Sequence, residues 1–309
     1  MLSFTAKDIN GRDIIMPAPL SVRLDVDESA PADSLYVVFP YIDADELKSV
    51  RIFDGDKQIF IGVTDEEERL SDPSGNQLRI SARSPAAYLL DNEAAPCVYD
   101  HPSSKLICER YAQPFGITVS DSVDAVYFGE LNVLKGASYW SVLKNFCAAC
   151  LSTLPRVSGA GVLYLGGMRR EERVRFGSGA GCFRYSRLSE KLKRCEEIST
   201  VMVKTGISGG YSLPISDDSA LNRGIRRVRY LNSALAETPM RCADDMIAAG
   251  RSRAYTLRLR CPGCLLGLEG CEAEVDTINT EARLYISALR YRLSDAGEYT
   301  DVILKRRKS

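Results

Sequence analysis

The first third of the chain is written in a period of two. "LSVRLDVDE" from Leu20 alternates apolar and polar positions, and "SLYVVFPY" from Ser34 is a short apolar run. Both predict strands, since successive strand side chains point to opposite faces and a strand covered on both faces is apolar throughout. "SVRIFDGDKQIFIGVTDEEERL" predicts a hairpin turning at Asp54-Gly55-Asp56, because Asp-Gly accepts the positive φ of tight hairpin turns. "QLRISARS", entered through the turn-forming "SDPSGN", is a further alternating strand. Residues 20 to 83 therefore read as short antiparallel strands with no helix before about residue 84, the pattern of a barrel or sandwich.

The period then changes. Ser84-Pro85 predicts a helix in "SPAAYLLDNEA", with Ser at the N-cap and Pro at the first helical position. "SSKLICERYAQPFG" predicts a second, with Leu106, Ile107 and Tyr111 on one face and Gly116 ending it. A third follows in "ASYWSVLKNFCAACLS", where Trp140, Leu143, Phe146, Cys147 and Cys150 recur at helical spacing. "GVLYLGG" and "ERVRF" read as paired strands. From about Leu192 the β pattern returns: "EEISTVMVKTG" as a strand, "GYSLPISDDSALN" as a polar projecting loop, and "IRRVRYLN" as a strand. Thr238-Pro239 opens a helix through "MRCADDMIAAGRSR" into the strand "AYTLRLR", and a hairpin turning at Asp295-Ala296-Gly297 closes the chain. The expected organisation is a β domain over 1–91, completed by strands from about 192–235, a small α/β domain over 92–190, and a second β domain over 191–309.

Composition narrows the chemistry. The 309 residues are 45% hydrophobic and 26% charged, ordinary globular values. There is no apolar run of about 18 residues to span a membrane, and "MLSFTAKDINGRD" is not a signal peptide. A net charge of −1 argues against a generic nucleic-acid binder. The only histidine, His101 in "VYDHPSSK", sits beside proline in a loop and reads as a turn residue. Its isolation removes most general-base and mononuclear zinc chemistry. Ten cysteines without an export signal point to reduced thiols in a cytosolic setting.

The cysteines hold one chemical motif. Cys261, Cys264 and Cys271 supply three of the four ligands of a structural zinc site. No histidine lies nearby, and Cys242, the distant fourth candidate, falls in a helical stretch. A redox pair would open a helix, whereas Pro262-Gly263 ends a strand, so the leading reading is a strand running into a loop. Cys147 and Cys150 lie on an apolar helical face, as buried thiols do. "GSGAGCF" lacks the G-K-S/T of a phosphate loop and is read as flexible. Neither "DEEE" nor Glu196-Glu197 sets an acid in an apolar cleft, as a glycosidase needs. No enzyme and no cofactor is expected.

Four stretches together carry a family resemblance. "SVRIFDGDKQIFIGVTDEEERLS" resembles a strand pair ending in a G-x-V-x-x step. "LRISARSPAAYLLDNEA" is similar to a strand followed by R-x-x-A-x-x-L-x-D, here Arg83, Ala86 or Ala87, Leu90 and Asp91. The helix with Trp140 resembles the start of an inserted domain. "AGRSRAYTLRLRCPG", leading to "YISALRYRLSDAGEYTDVILKRR", resembles the helix, strand and terminal hairpin of a second barrel. In this order they resemble the baseplate hub proteins of contractile-tailed phages, the Mu-type and late-control gene D family, related in fold to the T-even hub. The resemblance implies two tail-tube-like antiparallel β-barrel domains with a small α/β domain. It implies a homotrimer whose six barrels join a six-fold tail tube to a three-fold central spike and let the genome pass. The partners would be the spike, tube or tail-tip proteins and other baseplate proteins, and the location the virion tail after assembly in the host cytoplasm. Since the chain stops at "KRRKS", any lysozyme or endopeptidase domain is expected on another polypeptide. The expectation from a different class is a thiol- or zinc-dependent cytosolic binding protein using Cys261, Cys264 and Cys271.

Charge is unevenly spread. Acidic residues dominate Asp25 to Asp72, with Asp65, Glu66, Glu67 and Glu68 in a row; basic residues dominate Arg169 to Arg194, "NRGIRRVRY" and "KRRKS". Asp65 to Glu68, Arg169, Arg170, Arg226 and Arg227 are the interaction candidates. They are either solvated faces or faces of adjacent subunits that meet and fix register.

Overall fold

The structure, a computed structural model, describes residues 2–73, 75–120, 123–168, 170–204, 209–232, 239–278 and 283–307, with side chains left aside at 239–241. The chain is mostly β and divides into two compact units. The first takes residues 1–170, 262–270 and 288–301, and the second takes 171–261, 271–287 and 302–309.

In the first unit the alternating segments form the expected strands. These are β1 (Leu2–Asp8), β2 (Asp13–Ile15), β3 (Ser21–Asp27), β4 (Ser34–Pro40), β5 (Leu47–Asp54), β6 (Lys57–Asp72) and β7 (Gly75–Arg83). They pair antiparallel in the order β3-β4-β7-β6-β5-β1-β2. The period-two pattern becomes burial directly: Val22, Leu24 and Val26 of β3 face inward, and Phe39, Ile52, Phe60, Leu78 and Ile80 are buried. Each such side chain contributes about 1.5–3 kcal/mol by leaving water. The hairpin turn falls at Gly55, whose φ of +58° suits glycine. β1, which precedes the alternating region, lies between β5 and β2. The expected barrel is not closed: among the described residues the hydrogen-bonded path ends at the three-residue β2, where Ile15 stands exposed.

The same unit holds α1 (Ala86–Asp91), β8 (Cys97–Asp100), α2 (Ser104–Tyr111), β9 (Thr118–Val119), β10 (Glu130–Val133), α3 (Tyr139–Phe146), β11 (Arg156–Val157) and β12 (Val162–Tyr164). Ile107, Tyr111, Leu143, Phe146, Cys147 and Leu163 make its small core. Two helix expectations change. Ser84 does not cap α1; its hydroxyl accepts from the Asp33 amide at 3.0 Å, tying the helix start to the sheet. Leu106 is exposed and Cys108 buried in its place, because the inward face of α2 is Ile107, Cys108 and Tyr111.

The second unit contains β13 (Arg173–Phe176), β14 (Arg187–Leu192), β15 (Thr200–Lys204), β16 (Tyr211–Ser216), α4 (Asp218–Asn222), β17 (Val228–Leu231), α5 (Pro239–Ala254), most of β18 (Tyr255–Pro262) and β19 (Glu272–Val275). β20 (Leu284–Ser294) and β21 (Gly297–Arg306) each give part of their length to either unit. β14 pairs antiparallel with β18, and β13 runs parallel to β19. β15 is flanked by β16 and β17, with Ala243 and Ile247 of α5 packed on Val201 and Val203. The expected pairing of "GVLYLGG" with "ERVRF" does not occur: β12 pairs with β9 and β11, and β13 pairs with β19. The polar loop from Gly210 to Asn222 is instead β16 and α4, whose start Asp217 caps by accepting from the Ala220 amide. An edge position accommodates the proline in β16.

Candidate interaction surface

The acidic run lies on β6 where that strand extends past β5. Thr64 opposes Ala82 and Glu66 opposes Ser81, so Asp65 is the extra residue of a bulge. The bulge aims the Asp65 carboxylate at Arg83, which donates to it at 2.7 and 2.8 Å and also donates to Asp91 at 3.2 and 2.7 Å. These bonds from Arg83 hold Asp91 below the usual carboxylate range. Glu67 accepts from the Leu47 amide at 2.8 Å and pairs with Arg69 at 2.5 Å, while Glu68 pairs with Arg79 at 3.1 Å. Three of the four acids therefore serve their own unit. Glu66 is exposed and has no ion pair among the described residues.

The basic candidates divide similarly. Arg170 donates to the Gly267 carbonyl at 2.5 Å and lies 3.6 Å from Glu269, fastening the 262–270 loop to the first unit. Arg226 donates to the carbonyls of Leu221 and Ile225, where α4 ends. The Arg227 amide donates to the Ser199 hydroxyl at 2.9 Å, and its half-buried side chain lies beside β17. Arg169 lies outside the described residues.

The thiols take the strand-to-loop arrangement. Cys261 is buried in β18, and Gly263 turns the chain with φ +78°. Cys264 is half-buried, and burial pushes its thiol up to about 11. Cys271 is buried and its thiol donates to the Glu172 carboxylate at 3.7 Å. Among the described residues no group of three or more His, Cys, Asp or Glu side chains could hold a metal ion. His101 adopts φ +47° in an exposed turn, with Nδ1 2.5 Å from Asp100 and its ring against Phe128. A cavity of about 420 Å³ in the first unit is lined by Ser104, Lys105, Cys108, Gln113, Val119 and Leu165. Its hydroxyl is already committed to Val123 and Ala125, and burial pushes the Cys108 thiol up to about 11. Neither is an activated nucleophile. No helix among the described residues is long and apolar enough to cross a membrane.

Two features escaped the sequence reading. Asp33 and Arg156, both buried, form an ion pair, and Arg156 also donates to the Ala30 carbonyl at 2.7 Å. A charged residue in each of two short loop-flanked stretches gives no signal that they meet 123 positions apart. In the second unit, the β14–β18 register sets Arg187 opposite Arg260, Ser189 opposite Arg258 and Lys191 opposite Thr256. Strand alternation puts these six on the face away from buried Leu257, Leu259 and Tyr255. The run "RLSEKL" alternates too weakly to announce that face.

No family model and no curated protein matches the sequence. Solved structures do match in fold. A tail protein from Neisseria meningitidis MC58 is 17% identical, with 99% of this chain and 96% of that chain covered at a TM-score of 0.78. The 43 kDa tail protein of prophage MuSo2 from Shewanella oneidensis is 13% identical, with 99% and 98% covered at 0.79. An E. coli component of the type VI secretion system, described as structurally similar to T4 bacteriophage tail proteins gp27 and gp5, is 11% identical, with 100% and 77% covered at 0.60. From end to end, the chain has the fold of these phage tail and secretion-system proteins.

Proposed function

We propose that the chain is a structural baseplate hub: a homotrimeric adaptor between a six-fold tail tube and a three-fold central spike, in the virion tail or a related contractile injection machine. The observation that carries this reading is fold agreement over essentially the full length of both chains, 99% against 96% for the Neisseria tail protein. A partial match would support only a shared module. The proposal keeps the three-part division at residues 91 and 190, with spike, tube or tail-tip and other baseplate proteins as partners and the genome passing through the assembly. Function on this reading is mechanical. Open strand edges and charged faces are the features it uses, and strand edges left open in one chain are natural sites of symmetric association. Native mass measurement with negative-stain imaging of the purified chain tests it. A ring-like trimer is expected, and a monomer across the micromolar range overturns the reading. Stoichiometric zinc in the same preparation would instead favour a thiol-based binding protein.

A further inference from the structure

The proposed hub role makes no use of the cavity of about 420 Å³ beside α2 in the first unit. Protein interiors hold few voids larger than a water molecule, since empty space forfeits packing contacts. A volume of this size falls within the roughly 300–1,000 Å³ of small-molecule sites. Its wall is fixed by Ser104, the first residue of α2. The Ser104 amide donates to the Ala125 carbonyl at 2.8 Å, and its hydroxyl accepts from the Ala125 amide at 3.2 Å and donates to the Val123 carbonyl. The 123–125 segment is thereby pinned across the start of the helix, and the cavity stands open in the chain itself.

The lining divides by chemistry. Leu165 and Cys108 are buried and Val119 is half-buried, which makes part of the wall apolar. Burial pushes the Cys108 thiol up to about 11, so it stays neutral and acts as a small apolar surface. Lys105, Gln113, Val123 and Asp124 line the cavity as exposed residues. Among the described residues, the Gln113 side chain and the Asp124 carboxylate make no hydrogen bond or ion pair. Lys105 lies 3.9 Å from Glu109, one turn along α2, an exposed contact at the long limit of pairing that holds the ammonium weakly. The cavity therefore carries one cation and one anion that are not joined to each other, an open amide, and an apolar wall.

We infer that this cavity binds a short apolar peptide with free ends. Its carboxylate is taken by Lys105, its ammonium by Asp124 and its amide by Gln113, with its side chains against Val119, Val123 and Leu165. The charges select this class. A simple anion drawn to Lys105 meets the carboxylates of Asp124 and Glu109, and a simple cation drawn to Asp124 meets Lys105. An uncharged apolar molecule strips water from Lys105 and Asp124 without pairing them, which costs affinity. A zwitterion satisfies both charges and fills the apolar wall.

The site is independent of the hub reading. The test titrates leucyl-leucine into the full chain by calorimetry. N-acetyl-leucyl-leucine amide, with the same side chains and no charge, and octanoate are the comparisons. Saturable binding with a Kd on the order of 0.1 mM is expected, ordinary for a ligand of that size. Lys105→Ala and Asp124→Asn are each expected to weaken it about 10-fold, and Val119→Trp, which fills the cavity, to abolish it. Circular dichroism checks each fold, and the two charge variants, both at exposed positions, decide the matter if Val119→Trp does not fold. No saturable binding at concentrations on the order of 10 mM overturns the inference. Equal binding of the capped peptide or of octanoate gives the cavity to apolar ligands at large and overturns the zwitterion assignment. Binding that survives both charge substitutions lies elsewhere on the chain and overturns the site. Each of these failures leaves the hub reading standing.

Discussion

Asp33 is the residue through which the first unit is tied together. Its carboxylate takes Arg156 of β11, its amide donates to Ser84 at 3.0 Å, and its carbonyl accepts from the Ser84 amide at 2.9 Å. The short stretch before β4 is thereby joined to the end of β7 and to the small α/β core. Burial pushes the Asp33 carboxyl up to about 6; Arg156 opposes the rise and Glu269 adds to it. A folded-state value above the unfolded one means that the folded chain holds this proton more tightly. The stabilising contribution is then full below about 3.8 and is lost as pH rises through about 6. Asp91 works in the opposite sense, and its contribution is lost as pH falls below its ordinary value. Urea midpoints should accordingly rise as pH drops from 7 to 5, and Asp33→Asn should flatten that slope. Arg156→Met leaves the buried carboxylate alone and should cost about 3–5 kcal/mol at pH 7, with part recovered at pH 5.

At the scale of elements, α5 shows how packing overrides propensity. Gly250 lies inside the helix, where replacing glycine by alanine ordinarily gains up to about 1 kcal/mol. Here a Cβ would stand 3.0 Å from the Glu196 carbonyl oxygen and 3.2 Å from the Ile198 amide nitrogen, both backbone atoms with little freedom to yield. Gly250→Ala should therefore destabilise, by about 1–3 kcal/mol as for other overpacked sites, read from the shift in denaturation midpoint at constant m-value. The bulge at Asp65 is a second case. The four-acid run reads as one charged surface, yet the register turns Asp65 toward Arg83 and leaves only Glu66 without an ion pair among the described residues.

At the scale of the molecule, the first unit holds by sequence 18 basic and 27 acidic residues, a net charge of −9, and the second holds 22 basic and 14 acidic, a net charge of +8. This polarity makes association sensitive to salt. Exposed charges are screened within about 10 Å at 0.1 M salt and about 3 Å at 1 M. Oligomers of the chain should weaken between about 0.05 and 0.5 M NaCl, measured by sedimentation at fixed protein concentration. Association indifferent to salt would place the contact on apolar surface instead.

The sequence by itself determined the local elements. Alternation in β3, the Asp-Gly turn before β6, the helical spacing of α3 and the terminal hairpin each depend on neighbours a few positions apart, so their signals lie within one short window. It also placed the CPGC turn correctly at the end of β18, because Gly263 supplies the positive φ there. Tertiary structure decided what local windows cannot hold. The pairing of β13 with β19, about a hundred residues apart, the junction of Asp33 with Arg156, and the register of β14 on β18 depend on long-range closure that no local pattern encodes. The same limit governs charge. Arg170 and Arg226 look in sequence like Arg187 and Lys191, but only the folded chain turns the first two onto its own carbonyls and leaves the others facing outward.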